Sequence, residues 1–337
     1  MRVLNIHGVN DVRLDPKTPT APGDSDVVVK IKACGICGSD LTYIKYGGIN
    51  RAEGGVTPIG HEAAGEVTHV GANVKDTFVG QHVVINPMNT PSFIGSGGPE
   101  GAFADEVLVR DAKVGDSLLP IGNDLPYEIA ALAEPLAVAL HGVNRAHAKA
   151  GDKVVVFGCG PIGLSMVLWL VDRGVEDVIA VDLAPERLER AKALGAKHVI
   201  NAGTEDLRTR VLEIHGSHKY FGRDVANTNA FIDAAGGPNI LSDVIGFIRL
   251  QGRFVITAAY MKPVTLNLGA MLTTEIELTT AVGYPTEMPE VVAALPRLQG
   301  KLKQLISHRF GFDDVLEGFA VAATPQSAKV MIQFEDA

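Results

Sequence analysis

The sequence predicts a two-domain α/β protein in which a mostly β part is joined to a doubly wound parallel sheet. Three observations lead there. The chain has 337 residues, 46% of them hydrophobic and 20% charged, which is too long for one core and suits two. Residues 1–140 are rich in Val, Gly and short alternating apolar runs closely punctuated by turn residues, the pattern of a β domain. From about Gly142 the rhythm becomes strand, helix, strand, helix, and such alternation implies parallel strands covered by helices on both faces.

The elements follow in order. Asp26-Val27-Val28-Val29-Lys30-Ile31-Lys32 and Gly80-Gln81-His82-Val83-Val84-Ile85 read as strands of the first part. Residues 153–157 form a strand, 162–172 a helix, 177–181 a strand, and 185–194 a helix closed by Gly195 as its C-terminal cap. Further strands are expected at 230–233, 253–257 and 276–281. After Tyr284-Pro285 come a helix at 288–298, an extended segment at 306–310 and a last strand at 329–334. This tail is expected to return to the first part, so that residues 1–140 and 285–337 make one domain and 141–284 the other.

Bulk properties exclude several classes. Net charge is −9 and no basic run stands out, so nucleic acid is not an expected partner. Cys34, Cys37 and Cys159 are the only cysteines, too few and too odd in number for a secreted disulfide framework. Residues 1–8 lack the apolar core of a signal peptide. The longest apolar run, 154–171, is broken by three glycines and a proline, and reads as strand–turn–helix instead of a membrane span. A cytoplasmic protein is expected.

The turn Gly158-Cys159-Gly160-Pro161-Ile162-Gly163 fits G-x-G-x-x-G. Its first glycine permits the tight turn, its second admits a pyrophosphate to the backbone, and its third lets helix pack on strand. The helix N-terminus supplies free N–H groups and the positive end of a dipole. Asp182 follows Gly163 by nineteen residues, at the end of the next strand. A carboxylate there accepts from ribose hydroxyls and repels a 2′-phosphate, which favours NAD over NADP. Gly158, Gly160, Pro161, Ile162, Gly163 and Asp182 are the candidate cofactor residues, with Arg187 the nearest basic group. The bland reading is an ordinary glycine turn with a solvated Asp182.

Cys37, His61, Glu62 and Glu134 offer thiolate, imidazole and carboxylate, the ligand types zinc prefers. Their spacing alone leaves alternatives open. Cys34-Gly35-Ile36-Cys37 has the form of a redox pair, although no thioredoxin-like context surrounds it. Glu134, before Pro135, fits a helix-start carboxylate.

The blocks Gly35-Ile36-Cys37-Gly38-Ser39-Asp40, Gly60-His61-Glu62-Ala63-Ala64-Gly65-Glu66-Val67, Gly101-Ala102-Phe103-Ala104-Asp105 and Ala133-Glu134-Pro135-Leu136-Ala137-Val138-Ala139-Leu140-His141, with the glycine turn, stand in the order seen in the zinc-dependent medium-chain dehydrogenases. They span most of the chain. The Glu134 block resembles the polyol branch, which includes sorbitol, butanediol and threonine dehydrogenases. The resemblance implies a Rossmann domain plus a GroES-like catalytic domain. It implies one catalytic zinc held by Cys37 and His61, with Glu62 as a ligand or close neighbour and Glu134 acting directly or through water. Asp40 would orient His61, and Ser39 would bond the substrate hydroxyl and start a proton relay. A small alcohol or ketone substrate, NAD, and a homodimer or homotetramer are further implications.

Three departures from the family stand out. Residues 86–100 replace a cysteine-bearing loop and contain no cysteine, so no structural zinc is expected. Thr42 stands where many relatives have a relay histidine, which leaves Thr42, the cofactor ribose or water to end the relay. Gly283 replaces an arginine that sorbitol dehydrogenases place near substrate, which weakens a sugar-polyol assignment. Tyr43 matches a tyrosine near the polyol pocket, or is a packed loop aromatic. The leading expectation is an NAD-dependent zinc alcohol dehydrogenase acting on a secondary alcohol, a polyol or vicinal diol. The rivals are threonine-type amino-alcohol oxidation, a zinc-free reductase of the same fold and a non-catalytic NAD(P)-binding protein.

Overall fold

The structure, a computed structural model, describes residues 1–49 and 55–335. It divides into two compact units, Met1–Glu134 together with Met288–Ala337, and Pro135–Glu287.

The first unit is built on a seven-stranded sheet. Its strands run in the order Ile306–Gly311, Lys329–Gln333, Val27–Gly35, Glu62–Val70, His82–Ile85 and Leu118–Pro120, and Glu106–Val109 also pairs with Val27–Gly35. The central strand shows why it forms: Val27, Val29 and Ile31 are buried while Val28, Lys30 and Lys32 are partly exposed, the period-two pattern of a sheet with one packed face. The inward side chains join Leu4, Ile6, Ile59, Phe103 and Phe319 in one core. Loop 86–100 is tied to this unit by the buried Ile94 and by a Lys17–Glu100 ion pair at 2.6 Å.

Register decides what meets at one end of this sheet. Gly35 lies opposite Glu62 on one side and Met331 on the other, so residues from three distant segments converge there. A methyl group on Gly35 would sit 2.1 Å from Glu62 Oε2 and 3.2 Å from Lys329 Cδ. The absent side chain is the room those two side chains occupy.

The second unit holds a six-stranded, all-parallel sheet in the order His198–Asn201, Asp177–Asp182, Lys153–Phe157, Ala230–Asp233, Arg253–Ile256 and Glu277–Thr280. In chain order this is 3-2-1-4-5-6, the doubly wound arrangement whose switch point lies beside the first strand. The helix after that strand starts at Pro161, one residue earlier than the hydrophobic pattern suggests, because proline suits a first helical position. Gly195 caps helix Pro185–Leu194 in the left-handed region at φ 112°.

Two local features differ from the sequence reading. Residues 38–46 form a helix, Gly38–Tyr46, so Tyr43 is a helical residue and not a loop aromatic; it packs on the core of the first unit. An antiparallel hairpin, Ser217–Tyr220 with Arg223–Ala226, is inserted before the fourth parallel strand, and its polar residues carry no alternating apolar signal. No described helix is long and apolar enough to cross a membrane.

Candidate active site

The first unit brings three of the four candidate metal ligands together. Ligand atoms of Cys37, His61 and Glu62 lie within 4.8 Å of one another, and Glu134 is not in that group among the described residues. Cys37 caps helix Gly38–Tyr46, His61 immediately precedes strand Glu62–Val70, and Glu62 opens it. Cys34 is a buried free thiol, as Cys37 is a free, half-buried one; no disulfide joins the two. Burial pushes the Cys34 thiol well up, so it behaves as core.

Asp40 organises the cluster mainly through the main chain. Fully buried, it accepts from Cys37 N at 2.9 Å and from Gly60 N at 3.4 Å, and so fixes the backbone before both donor residues. Its Oδ1 faces His61 Nδ1 at 3.5 Å, and that buried nitrogen has no hydrogen-bond partner. On the other side of the ring, Nε2 faces Ser39 Oγ at 3.5 Å. Burial works against a charge on His61, but Asp40 and Cys37 outweigh it and hold the ring well above the usual histidine range. The pocket therefore favours positive charge between a thiol and a carboxylate, which a divalent cation supplies.

Lys329 was missed by the sequence reading. It is almost wholly buried, as is Glu62, and its Nζ lies 2.5 Å from both Glu62 oxygens and 2.9 Å from Ile36 O. Burial opposes its charge, yet Glu62 and then Cys37 keep its pKa raised. The available signal was a lone lysine at the head of an otherwise apolar strand, Lys329-Val330-Met331-Ile332; a buried lysine needs a partner.

Each of the remaining candidates has its own local setting. Glu134 is the second residue of helix Ala133–Arg145, 8% exposed, and its charge is felt by Lys329. Thr42 Oγ1 donates to Gly38 O at 3.0 Å, one helical turn back. Gly283 takes a left-handed φ of 61°, a conformation that suits glycine.

In the second unit the glycine turn has the geometry of a phosphate cradle. Gly158 has φ 86°. A Cβ on Gly163 would fall 1.7 Å from Gly158 O, whereas one on Gly160 would meet nothing within 4 Å. Helix and strand thus touch at the third glycine, and space stays open at the second. The 12-residue helix Pro161–Asp172 has no side-chain cap at Gly160, so its first N–H groups are available to an anion. Asp182 accepts from Cys159 N, Leu183 N and Ala184 N at 2.6, 2.7 and 2.8 Å, which pins the carboxylate at the strand end. Ile162 sits in the first helical turn, and Arg187, on helix Pro185–Leu194, is near enough to act on the Cys159 thiol.

Residues 23–119 match the alcohol dehydrogenase GroES-like domain and residues 161–297 the zinc-binding dehydrogenase domain. Over 99% of both chains the sequence is 31% identical to (R,R)-butanediol dehydrogenase of Bacillus subtilis (strain 168). It is 29% identical to sorbitol dehydrogenase of Rattus norvegicus, covering 98% of this chain and 95% of the relative. The crystal structure of 2R,3R-butanediol dehydrogenase from Bacillus subtilis superposes with a TM-score of 0.87 at 28% identity, over 98% of this chain and 99% of that one. The fold and the donor set define an alcohol-oxidising enzyme of the zinc-binding type. The chain belongs to the zinc-dependent medium-chain dehydrogenases, in the polyol branch, and its cofactors are zinc and NAD.

Proposed function

We propose that the protein oxidises a secondary alcohol carrying a neighbouring hydroxyl, a vicinal diol in preference to a sugar alcohol. The observation that carries this is the Cys37–His61–Glu62 cluster. Cys37 and His61 would hold zinc, Glu62 would stand beside it under the control of Lys329, and Glu134 would act from outside the cluster through water. Lys329 offsets the Glu62 charge, which leaves the thiolate as the main anionic donor. Zinc, when bound, supplies a Lewis acid that lowers the pKa of the substrate hydroxyl, and NAD supplies the hydride acceptor.

The chain's own residues position and move the proton. Ser39, beside His61 Nε2, receives it from the substrate hydroxyl. The Thr42 hydrogen is engaged by Gly38 O, so Thr42 offers only its oxygen lone pairs to a relay. As Ser39 takes the substrate proton it releases its own hydroxyl proton to the ribose hydroxyls or water. Preference for a small diol is supported by the 31% identical butanediol dehydrogenase and by Gly283, which has no side chain where sorbitol dehydrogenases carry an arginine.

Turnover of vicinal diols, sugar alcohols and threonine with NAD and with NADP tests the reading. Diols should be oxidised fastest, and NAD should be preferred by about tenfold or more in kcat/KM, since a pinned carboxylate at the ribose rejects an added phosphate. Asp182→Ala should narrow that ratio. Equal use of NADP by the wild type removes Asp182 from the adenosine ribose, and threonine outpacing every diol overturns the substrate assignment.

Assembly is proposed on the terminal parallel strand. Among the described residues Glu277–Thr280 pairs on one side only, with Arg253–Ile256, and Leu268, Leu272 and Val282, near it in sequence, are 71%, 79% and 87% exposed. An open strand edge with exposed apolar side chains flanking it is a liability in a monomer. Light scattering is expected to show at least a dimer; a single-chain mass at micromolar concentration rules it out.

A further inference from the structure

We propose that Asp233 and Tyr260 are positioning residues for the dinucleotide, forming a hydrogen-bonded clamp that holds the 234–237 turn against the glycine turn. The proposal rests on reading the glycine turn as the dinucleotide site.

Asp233 ends the strand Ala230–Asp233, which neighbours Lys153–Phe157 across the switch point of the sheet. It is completely buried, and its two oxygens have separate tasks. Oδ1 accepts from Ala235 N at 2.8 Å and Gly236 N at 3.0 Å. Oδ2 accepts from the Tyr260 hydroxyl at 2.5 Å, which also approaches Gly237 O at 3.2 Å. A further tie runs from Thr257 Oγ1 to Asp233 O at 2.7 Å. The turn is thus gripped at three of its four residues by one carboxylate and one phenol.

What the grip holds is the wall of the glycine turn. Ala234 N donates to Phe157 O at 2.9 Å. A Cβ on Gly158 would meet Ala235 Cβ and N at 3.0 Å each. No slack separates the two turns, so a shift in 234–237 is transmitted to Gly158 and to the cradle that follows it. Burial, with Asp233 as its partner, raises the phenol pKa of Tyr260, so it remains a donor at neutral pH.

The experiment is NADH affinity by fluorescence titration, with NAD-dependent kinetics, on wild type and Tyr260→Phe. Loss of a charge-assisted hydrogen bond should raise Kd for NADH and KM for NAD by about tenfold, while kcat at saturating NAD stays within about twofold of wild type. That split separates positioning of the cofactor from a general loss of structure, which would lower the active fraction and hence kcat. Should Tyr260→Phe fail to fold because the buried Asp233 Oδ2 is left without its donor, the double variant Asp233→Asn with Tyr260→Phe removes the carboxylate while the phenol stays absent, and the same loss is expected. Unchanged NADH affinity in whichever variant folds overturns the proposal alone. A wild type that binds no NADH overturns the cofactor reading, and the proposal with it.

Discussion

Cys37→Ser is expected to reduce turnover by about three orders of magnitude or more while NADH binding stays near wild type. The substitution is close to isosteric but changes the chemistry of the donor. A thiol ionises readily next to a cation, and its thiolate is a preferred zinc ligand. A serine hydroxyl stays neutral near pH 7 and gives zinc no anionic partner. With Glu62 already ion-paired to Lys329 at 2.5 Å, the cluster then keeps His61 as its one unencumbered strong donor. Several kcal/mol of transition-state stabilisation go with the metal, at about 1.36 kcal/mol per tenfold. Elemental analysis, turnover and NADH titration on one preparation check this. Normal turnover with full zinc would take Cys37 out of the metal site.

Lys329→Met should cost about 3–5 kcal/mol, because it leaves the fully buried Glu62 carboxylate without its counter-charge. For a unit of this size the melting temperature should fall by about 10 °C or more. The loss belongs to the stranded charge and not to the pair as such. The double variant Lys329→Met with Glu62→Leu should therefore recover most of the stability, since a well-packed apolar pair of similar volume often replaces a buried ion pair at little cost. Thermal melts of the wild type, both single variants and the double variant give the coupling energy. If Lys329→Met melts with the wild type, or if the double variant is no more stable than the single, the ion pair is not what holds this end of the sheet.

The two sites differ in how far the sequence reveals them. The glycine turn is legible because its requirements are local: a left-handed Gly158, an open Gly160 and a crowded Gly163 lie within six residues, and the parallel strands announce themselves as short β-branched runs. The metal cluster is different. Cys37, His61 and Glu62 come from two segments brought together by sheet register and by the Asp40 carboxylate, and the resemblance to a family, not their spacing, groups them. The same grouping includes Glu134, which burial and the Lys329 charge place nearby but outside the cluster. Lys329 is less legible still. Its partner lies 267 positions earlier, and a single lysine in an apolar strand names no partner. Helix Gly38–Tyr46 escaped notice because it has a weak apolar stripe, although Asp40 accepting from Cys37 N is the kind of reciprocal start signal that Cys37-Gly38-Ser39-Asp40 encodes.

The pairing of Glu62 with Lys329 also sets an order of events during synthesis. Ribosomes add about 5–20 residues per second, so the 267 positions between the two correspond to roughly a quarter to nearly a whole minute of elongation. The entire unit Pro135–Glu287 emerges in that interval and has all six of its parallel strands before the earlier unit can close. Until residue 329 is free of the ribosome, the chain carries an acidic side chain destined for the interior without the lysine that pairs with it, and the edge of Val27–Gly35 that will meet Met331 stays open. The second unit is thus able to mature first, and the first unit is completed by a strand made after it.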